Sequence, residues 1–404
     1  MSQTPWLSLF GIGEDGLEGL SSAARQALAQ ACLVVGGQRH LAMLGPSGQE
    51  RLAWPSPLTD AFPAILARRG QPVAILATGD PFQFGIGSTL ASVISPDEMI
   101  SFPHLSAFSL AANRLGWAQQ DCALVSLHGR ALERIIPHLQ PDAQIMALSW
   151  DGTTPGKLAE LLVTRGCGTA ELTVLEALGG PNERIRSATA AQFALTDVAA
   201  LNTVAIRVGR NAGARYLPLT GGLSDDWFEH DGQITKHEIR AVTLSALAPR
   251  RGELLWDIGA GSGSIAIEWM LTHSSNRAVA IEPRADRVAR IGRNALALGV
   301  PDLTILHGSA PAALERLAQP DAIFIGGGAT VDGVVLLAWQ ALRPGGRLVA
   351  NAVTLETQSL LLDWRQRIGG HLTQIAISEA EPIGGFTGWK PARPIVQWRV
   401  EKLV

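Results

Sequence analysis

The chain has 404 residues, of which 47% are hydrophobic and 17% charged, with 43 glycines; this composition excludes a disordered chain and is comfortable for two or three cored domains. Its 33 basic and 36 acidic residues leave a net charge of −3, which argues against a nucleic-acid backbone as the main partner, because phosphate binding needs a basic surface. The three cysteines, Cys32, Cys122 and Cys167, lie far apart with no CxxC pair, so neither a disulfide framework nor a cysteine zinc site is expected.

The opening MSQTPWLSLFGIG lacks a basic stretch followed by an apolar one, so no signal peptide is expected. No uncharged apolar run approaches the roughly 18 residues of a membrane span. A cytoplasmic protein without membrane or nucleic-acid partners follows.

In chain order, the first half alternates short β-like runs with helix-like stretches. Strands are expected at Trp6–Phe10, Cys32–Val35, Val73–Ala77, Ala123–Leu127, Ile145–Leu148, Leu172–Leu175 and Thr203–Val208, and helices include Ser22–Gln30 and Ser106–Leu115. Such alternation builds mainly parallel α/β sheets. The interruption around Ala118–Asp121 divides this half into lobes of about 1–117 and 118–210. Residues 211–233 (NAGARYLPLTGGLSDDWFEHDGQ) read as a linker rich in glycine and acidic residues.

From 234 to 404 a second series follows, with strands expected at Leu254–Ile258, Ala278–Glu282, Leu303–His307, Ala322–Ile325, Arg347–Ala350, His371–Ser378 and Ile395–Val400. Five strand–helix units and two closing strands predict a seven-stranded, doubly wound, Rossmann-like sheet.

In this second half, Gly259, Gly261 and Gly263 separate the strand Leu254–Ile258 from a helix expected at Ser262–Leu271. Glycine permits positive φ and removes the Cβ that would block a ligand from the helix N-terminus. The GxGxG spacing is compatible with a nucleotide-type cofactor or with a tight turn alone, and departs from the GxGxxG of dinucleotide sites. Glu282, at the tip of the next strand, is placed to accept both hydroxyls of a ribose; a surface glutamate before a helix starting at Pro283 is the alternative. Ser309 and Ala310, after the third strand, suit an adenine edge; a helix N-cap by Ser309 is the compatible alternative.

DIGAGSGSIAIEW, AIEPRADRVARIGRNALALG and LRPGGRLVA together resemble class I S-adenosylmethionine-dependent methyltransferases. The resemblance implies cofactor contacts by Asp257, Gly259, Gly261, Gly263, Glu282, Ser309 and Ala310. DAIFIGGG replaces the Asn/Asp-Pro-Pro-aromatic motif of the amino-methylating members, so a nucleobase or glutamine amine is not the expected acceptor.

In the first half, Gly11 and Gly13 follow a strand, and Gly79-Asp80-Pro81 follow another. Asp80 reads either as an acceptor at a strand tip or as the cap of a plain turn toward Gly85. With FPHLSAFSLAANRLGW and ALVSLHGR, this half resembles the tetrapyrrole methylases (class III methyltransferases), which are two-lobed. The resemblance implies cofactor contacts by Gly79, Asp80, Ser106, Ala107 and His128, with Gly156 a looser match and Gly11 and Gly13 in the first motif. For His128, lobe packing is the alternative. The family's Gly-Pro-Gly is here Gly13-Glu14-Asp15-Gly16.

The fusion resembles the bifunctional methyltransferases of cobalamin biosynthesis. That implies a precorrin substrate, one S-adenosylmethionine site per domain and no metal, and a homo-oligomer is expected. It further implies methyl transfer at ring carbon C5 by the N-terminal domain, and at C15 by the C-terminal domain with loss of CO₂ from the C12 acetate.

Lys236, Glu238 and Arg240 lie on a helix that Thr235 is expected to cap, with Glu238 at the capping-box position. Lys236 and Arg240 share a face and either hold a substrate carboxylate or belong to a solvated helix. Glu356 is read as a proton-handling group or as a helix-start glutamate favoured by the dipole. Arg284, Arg287, Arg290 and Arg293 are read as surface charge, and Phe386 and Trp389 as lying over a macrocycle or in the core. The nine histidines are scattered, and no metal site is expected. Three rival readings are an RNA or protein methyltransferase, an NAD-dependent oxidoreductase, and a chain in which one half has lost activity.

Overall fold

In the computed structural model, which describes residues 5–46 and 48–403, the chain divides into two units. One runs up to Leu132 and includes His138–Arg215; the other comprises Glu133–Pro137 and the chain from Tyr216 on.

The N-terminal unit has two sheets. The first contains β1 (Leu7–Ile12), β2 (Leu33–Gly36), β3 (Glu50–Ala53), β4 (Val73–Thr78) and β5 (Met99–Phe102), in the order β3-β2-β4-β1-β5. Every pairing is parallel. The central strands are near-continuous apolar runs, as parallel strands covered on both faces must be; all of Val73–Ala77 is buried. The second sheet contains β6 (Cys122–Ser126), β7 (Gln144–Leu148), β8 (Glu171–Glu176), β9 (Arg184–Thr189) and β10 (Asn202–Arg207), in the order β6-β7-β10-β8-β9. Only β6–β7 is parallel.

Strands β3, β5 and β9 lie outside the sequence expectations. Each is a sheet edge, where one side needs no partner and charge is tolerated. On β9, Arg184 and Arg186 close over the buried Glu176 of β8, at 2.7 and 3.1 Å.

The C-terminal unit is built on β11 (Leu254–Ile258), β12 (Arg277–Glu282), β13 (Thr304–His307), β14 (Ala322–Ile325), β15 (Arg347–Ala352), β16 (His371–Ile375) and β19 (Ile395–Glu401). Their order is β13-β12-β11-β14-β15-β19-β16. β11 to β15 are mutually parallel, and β19 inserts antiparallel between β15 and β16. This is the seven-stranded Rossmann-like sheet expected from the sequence. Trp256 of β11, Trp269 and Trp398 of β19 are fully buried in its core, each such side chain contributing roughly 1.5–3 kcal/mol or more by burial.

Three expectations change here. The strand expected over His371–Ser378 stops at Ile375, and β17 (Ser378–Ile383) pairs with β18 (Phe386–Pro391) in a separate two-stranded hairpin. The helix after the glycines begins at Ser264. The helix His237–Leu247 has Lys236 at its N-cap with no side-chain cap bond, so Thr235 does not cap it.

The stretch from Tyr216 to Gln233 is fastened to the C-terminal unit. Leu217, Leu223 and Phe228 are buried, and the Glu268 carboxylate accepts the backbone N–H groups of Gly222 and Leu223. Arg287 and Arg290 both pair with Asp231, at 2.9 and 3.2 Å, and Arg293 with Glu229 at 2.7 Å. The side chains of Arg287 and Arg290 are only 18% and 16% exposed, so they clamp this segment rather than serve as free surface charge. Arg284 does stay at the surface, paired with Asp286. No described helix is long and apolar enough to cross a membrane.

Candidate functional site

A cavity of about 920 Å³ opens at the carboxyl ends of β11, β12 and β14, where ligands of open α/β sheets sit. The turn after β11 supplies Gly259 and Gly261 to its wall. Gly259 has φ 73°, and a Cβ there would lie 2.8 Å from the backbone nitrogen of Gly327. The two turns at the sheet's crest therefore touch main chain to main chain. Gly261, at φ 60°, faces the Gln233 carbonyl oxygen, and its N–H donates to Glu282 at 2.9 Å.

Gly263 has a different task from the one its spacing implies. A Cβ there would meet the Ile291 side chain at 2.8 Å, and the residue is not on the cavity wall. It lets the helices Ser264–Leu271 and Ala285–Ala297 approach.

Glu282 is 2% exposed. One carboxylate oxygen accepts from Gly261 and the other from the Arg284 N–H at 3.1 Å, which leaves each oxygen a lone pair for a ligand donor. Asp257 is 1% exposed; its Oδ2 accepts from the Ala266 N–H at 3.1 Å, and its Oδ1 has no partner. Burial, with the Glu282 charge adding and the Ala266 bond opposing, pushes its carboxyl up to about 7. An unpartnered buried acceptor on a cavity wall is a place for a ligand's donor.

Ser309 and Ala310 line the same cavity. The N-cap reading for Ser309 fails: the next helical turn begins at Ala312, with Pro311 at its N-cap and no side-chain cap bond.

At the far end, Lys236 and Glu238 reach the wall. Lys236 pairs with Asp225 at 2.9 Å, and Glu238 with His237 at 3.0 Å. Arg240 is fully buried and off the wall. Its guanidinium is held by Glu268, by Asp225 at 3.2 Å and by the carbonyls of Thr235 and Leu223, over the Phe228 ring. With those donors committed, Arg240 is not a substrate ligand but the bolt that locks the segment before the helix.

Glu356 is exposed in the first turn of the helix Leu355–Ile368, away from the cavity wall. Its bland reading, a glutamate at a helix start, is the one the structure supports. Phe386 and Trp389 are 85% and 75% exposed on the hairpin and off the cavity wall, so they are not core aromatics.

Sequence reasoning missed Gly326–Gly328, Asn351 and Arg393 on this wall. The first group follows β14 and Asn351 is the penultimate residue of β15, and that strand-end position was the available signal. Arg393 has no carboxylate partner among the described residues, whereas Lys236, Arg287 and Lys390 on the same wall are paired.

The N-terminal unit has its own cavity, of about 620 Å³, with Gly13, Gly79, Ser106, Ala107 and His128 on its wall. Gly79 has φ 61°, and a Cβ there would press on the backbone of Ser106 at 3.0 Å. Ser106 caps the helix Ala107–Leu115 by accepting from Ser109 N–H at 3.1 Å.

Three expected contacts are absent from this wall. Gly11 lies within β1, and a Cβ there would overlap the Gly79 carbonyl and the His104 nitrogen, so its bareness seats the Gly79 turn. Asp80 accepts from the Phe82 N–H at 2.8 Å, stabilising its own turn two residues on rather than a ligand or Gly85. Gly156 is in the first turn of the helix Thr154–Thr164 with open space beside it.

His40 is a wall residue that sequence reasoning missed; it is 7% exposed. Its Nε2 accepts from the Arg39 guanidinium at 3.0 Å. Burial, then the Arg39 charge, lowers its pKa to about 4.

Residues 7–194 match the family model of tetrapyrrole (corrin/porphyrin) methylases, and residues 226–402 that of a precorrin methyltransferase domain. A precorrin-6Y C(5,15)-methyltransferase [decarboxylating] of Sinorhizobium sp is 56% identical over 397 residues, 98% of this chain and 96% of that protein. The chain belongs to the precorrin-6Y C5,15-methyltransferase (decarboxylating) family.

Methyltransferases of this family use S-adenosylmethionine. Two shorter relatives each match under half of the chain. A probable cobalt-precorrin-6B C(15)-methyltransferase (decarboxylating) of Saccharolobus solfataricus is 37% identical over 43% of this chain and 92% of its own length. A cobalt-precorrin-7 C(5)-methyltransferase of Salmonella typhimurium is 31% identical over 44% of this chain and 88% of its own.

Proposed function

We propose that this chain transfers two methyl groups from S-adenosylmethionine to precorrin-6B in the cytoplasm, at C5 in the N-terminal unit and at C15 in the C-terminal unit. The C-terminal unit also removes the C12 acetate carboxyl as CO₂. The observation that carries the reading is that each unit has its own cavity, walled by glycine turns at strand ends. The half-length relatives, named for one ring position each, support dividing the two ring positions between separate domains.

The C-terminal cavity fits an adenosyl-methionine chemically. Such a group presents an amine and two ribose hydroxyls, all donors, and the wall offers the open Asp257 Oδ1 and the spare lone pairs of Glu282. Gly259 and Gly261 leave bare main chain beside them, and Ser309 with Ala310 would border the adenine. In the N-terminal cavity, Gly79, Ser106, Ala107 and His128 would do the holding.

S-adenosylmethionine, when bound, supplies an electrophilic methyl on a sulfonium whose sulfur takes the electron pair as the carbon–carbon bond forms. The chain's part is to align donor and ring carbon and to keep water out. No strong base is required for the transfer itself, since an enamine-like carbon attacks. The substrate's carboxylates need cations, and Arg393, on the wall of the C-terminal cavity with no carboxylate partner among the described residues, is the group we assign to one of them.

Incubating the chain with precorrin-6B and S-adenosylmethionine and weighing the product by mass spectrometry tests this. Gain of two methyls with loss of CO₂ is expected, and a product without decarboxylation or with fewer than two added methyls refutes the reading.

A further inference from the structure

The wall of the N-terminal cavity carries a residue in a conformation its type disfavours. Phe84 has φ 55°, in the left-handed region where a bulky side chain is a genuine outlier and glycine or asparagine is at home. Burying the ring is not what offsets this strain, because Phe84 is 48% exposed and faces the cavity. Strain held in place around an exposed side chain points to a task for that side chain.

The surroundings fix the ring's attitude. Phe108, 1% exposed, braces it edge-on, with centroids 5.7 Å apart and planes at 62°. The Arg130 guanidinium stands 6.0 Å from the ring centroid. Arg130 also lines the cavity and has no carboxylate partner among the described residues. Around them, Leu105 and Trp150 are 57% and 58% exposed on the same wall. An apolar rim with one arginine that lies over the Phe84 ring and has no carboxylate partner among the described residues suits a flat, largely apolar ligand edged with carboxylates.

We propose that Phe84 is the platform on which the tetrapyrrole macrocycle rests in the N-terminal unit, with Arg130 receiving one of its carboxylates. The proposal rests on the reading that this unit methylates the macrocycle, and adds which side chains position it. Macrocycle face against ring face gives contact area, and the guanidinium fork sets the orientation in the plane.

The test uses the full chain carrying Phe84→Gly, Phe84→Tyr or Arg130→Ala, with precorrin substrate and S-adenosylmethionine. Phe84→Gly should raise the KM of C5 transfer about tenfold or more, a hot-spot-sized loss. It should leave S-adenosylhomocysteine affinity within about twofold and the thermal midpoint unchanged or higher, because glycine relieves the backbone. Phe84→Tyr should restore KM, and Arg130→Ala should raise KM without changing the midpoint.

A Phe84→Gly chain with unchanged KM, or one whose lost transfer is matched by a lowered midpoint, overturns the platform. If the unsubstituted chain adds fewer than two methyls, the functional reading fails and the platform with it. If it adds two while Phe84→Gly does the same at the same KM, only the platform fails.

Discussion

The Gly261 amide donates to the Glu282 carboxylate at 2.9 Å, joining the tip of β12 to the glycine turn after β11. One side chain thus fixes the turn and keeps an oxygen facing the cavity. Replacing Glu282 by alanine removes the acceptor of the Gly261 N–H and, with it, the carboxylate proposed to accept from the ribose hydroxyls; a hydrogen bond to a charged group is worth about 1.5–3 kcal/mol. Titration calorimetry with S-adenosylhomocysteine should therefore show binding at the C-terminal cavity weakened roughly ten- to hundredfold, and, on the proposed reading of one site per unit, binding at the N-terminal cavity unchanged. Two undisturbed sites would rule out the role given to Glu282.

Asp257 should make ligand affinity at that same cavity pH-dependent. Its carboxyl is pushed from 3.8 up to about 7, chiefly by burial. In the ligand-free chain it is protonated below that value, while a ligand amine needs the ionised form. Affinity should rise with pH, being about tenfold weaker at one unit below the pKa than on the plateau above it. The sign for stability is opposite: the folded chain holds this proton more tightly than the unfolded one, so the group's contribution is lost as pH rises from 3.8 through about 7. Asp257→Asn should flatten the affinity profile and raise the thermal midpoint above pH 7. A profile as steep in the variant as in the parent would sink the assignment.

Where one physical cause sufficed, the sequence was readable. Leu254–Ile258 and Ala322–Ile325 are buried parallel strands, so apolar runs mark both ends, and the observed bounds match the expected ones. Edge strands such as Arg184–Thr189 carry charge because half their surface meets solvent or a buried partner, and no alternation announces them. Glycine spacing located the turn after β11 but could not separate Gly261, which borders the cavity, from Gly263, which makes room for Ile291. Arg240 was misread for a similar reason. Spacing put it four residues from Lys236, but what covers it, Glu268 and the segment around Leu223, is distant or loop-like in sequence.

That burial makes Arg240 a stability residue. Arg240→Ala would strand the Glu268 carboxylate, at 2% exposure, and breaking a buried pair this way costs about 3–5 kcal/mol. The midpoint of the C-terminal unit should drop by about 10 °C, with turnover of the folded fraction unchanged. Lys236→Ala removes a pair in which the lysine side chain is 60% exposed; such pairs contribute about 0–1 kcal/mol, so its midpoint should hold. A calorimetric scan in which the two variants melt alike would contradict this division.

Arg393 carries the prediction that bears most directly on substrate binding in the C-terminal unit. The other cations on that cavity wall are already neutralised, Lys236 by Asp225, Arg287 by Asp231 and Lys390 by Glu381, so an incoming carboxylate would have to displace an internal partner to use them. Arg393 has no such competitor among the described residues and offers a planar fork that matches a carboxylate in two bonds. Its alanine variant should raise KM for C15 methylation and decarboxylation by about tenfold, while kcat at saturation and S-adenosylhomocysteine affinity hold. Lysine in its place keeps the charge but loses the fork and should recover part of the loss. C5 methylation, scored in the same mass spectrum, should be untouched. An unchanged KM in Arg393→Ala, or an equal loss at both ring positions, would rule out an anchor confined to the C-terminal cavity.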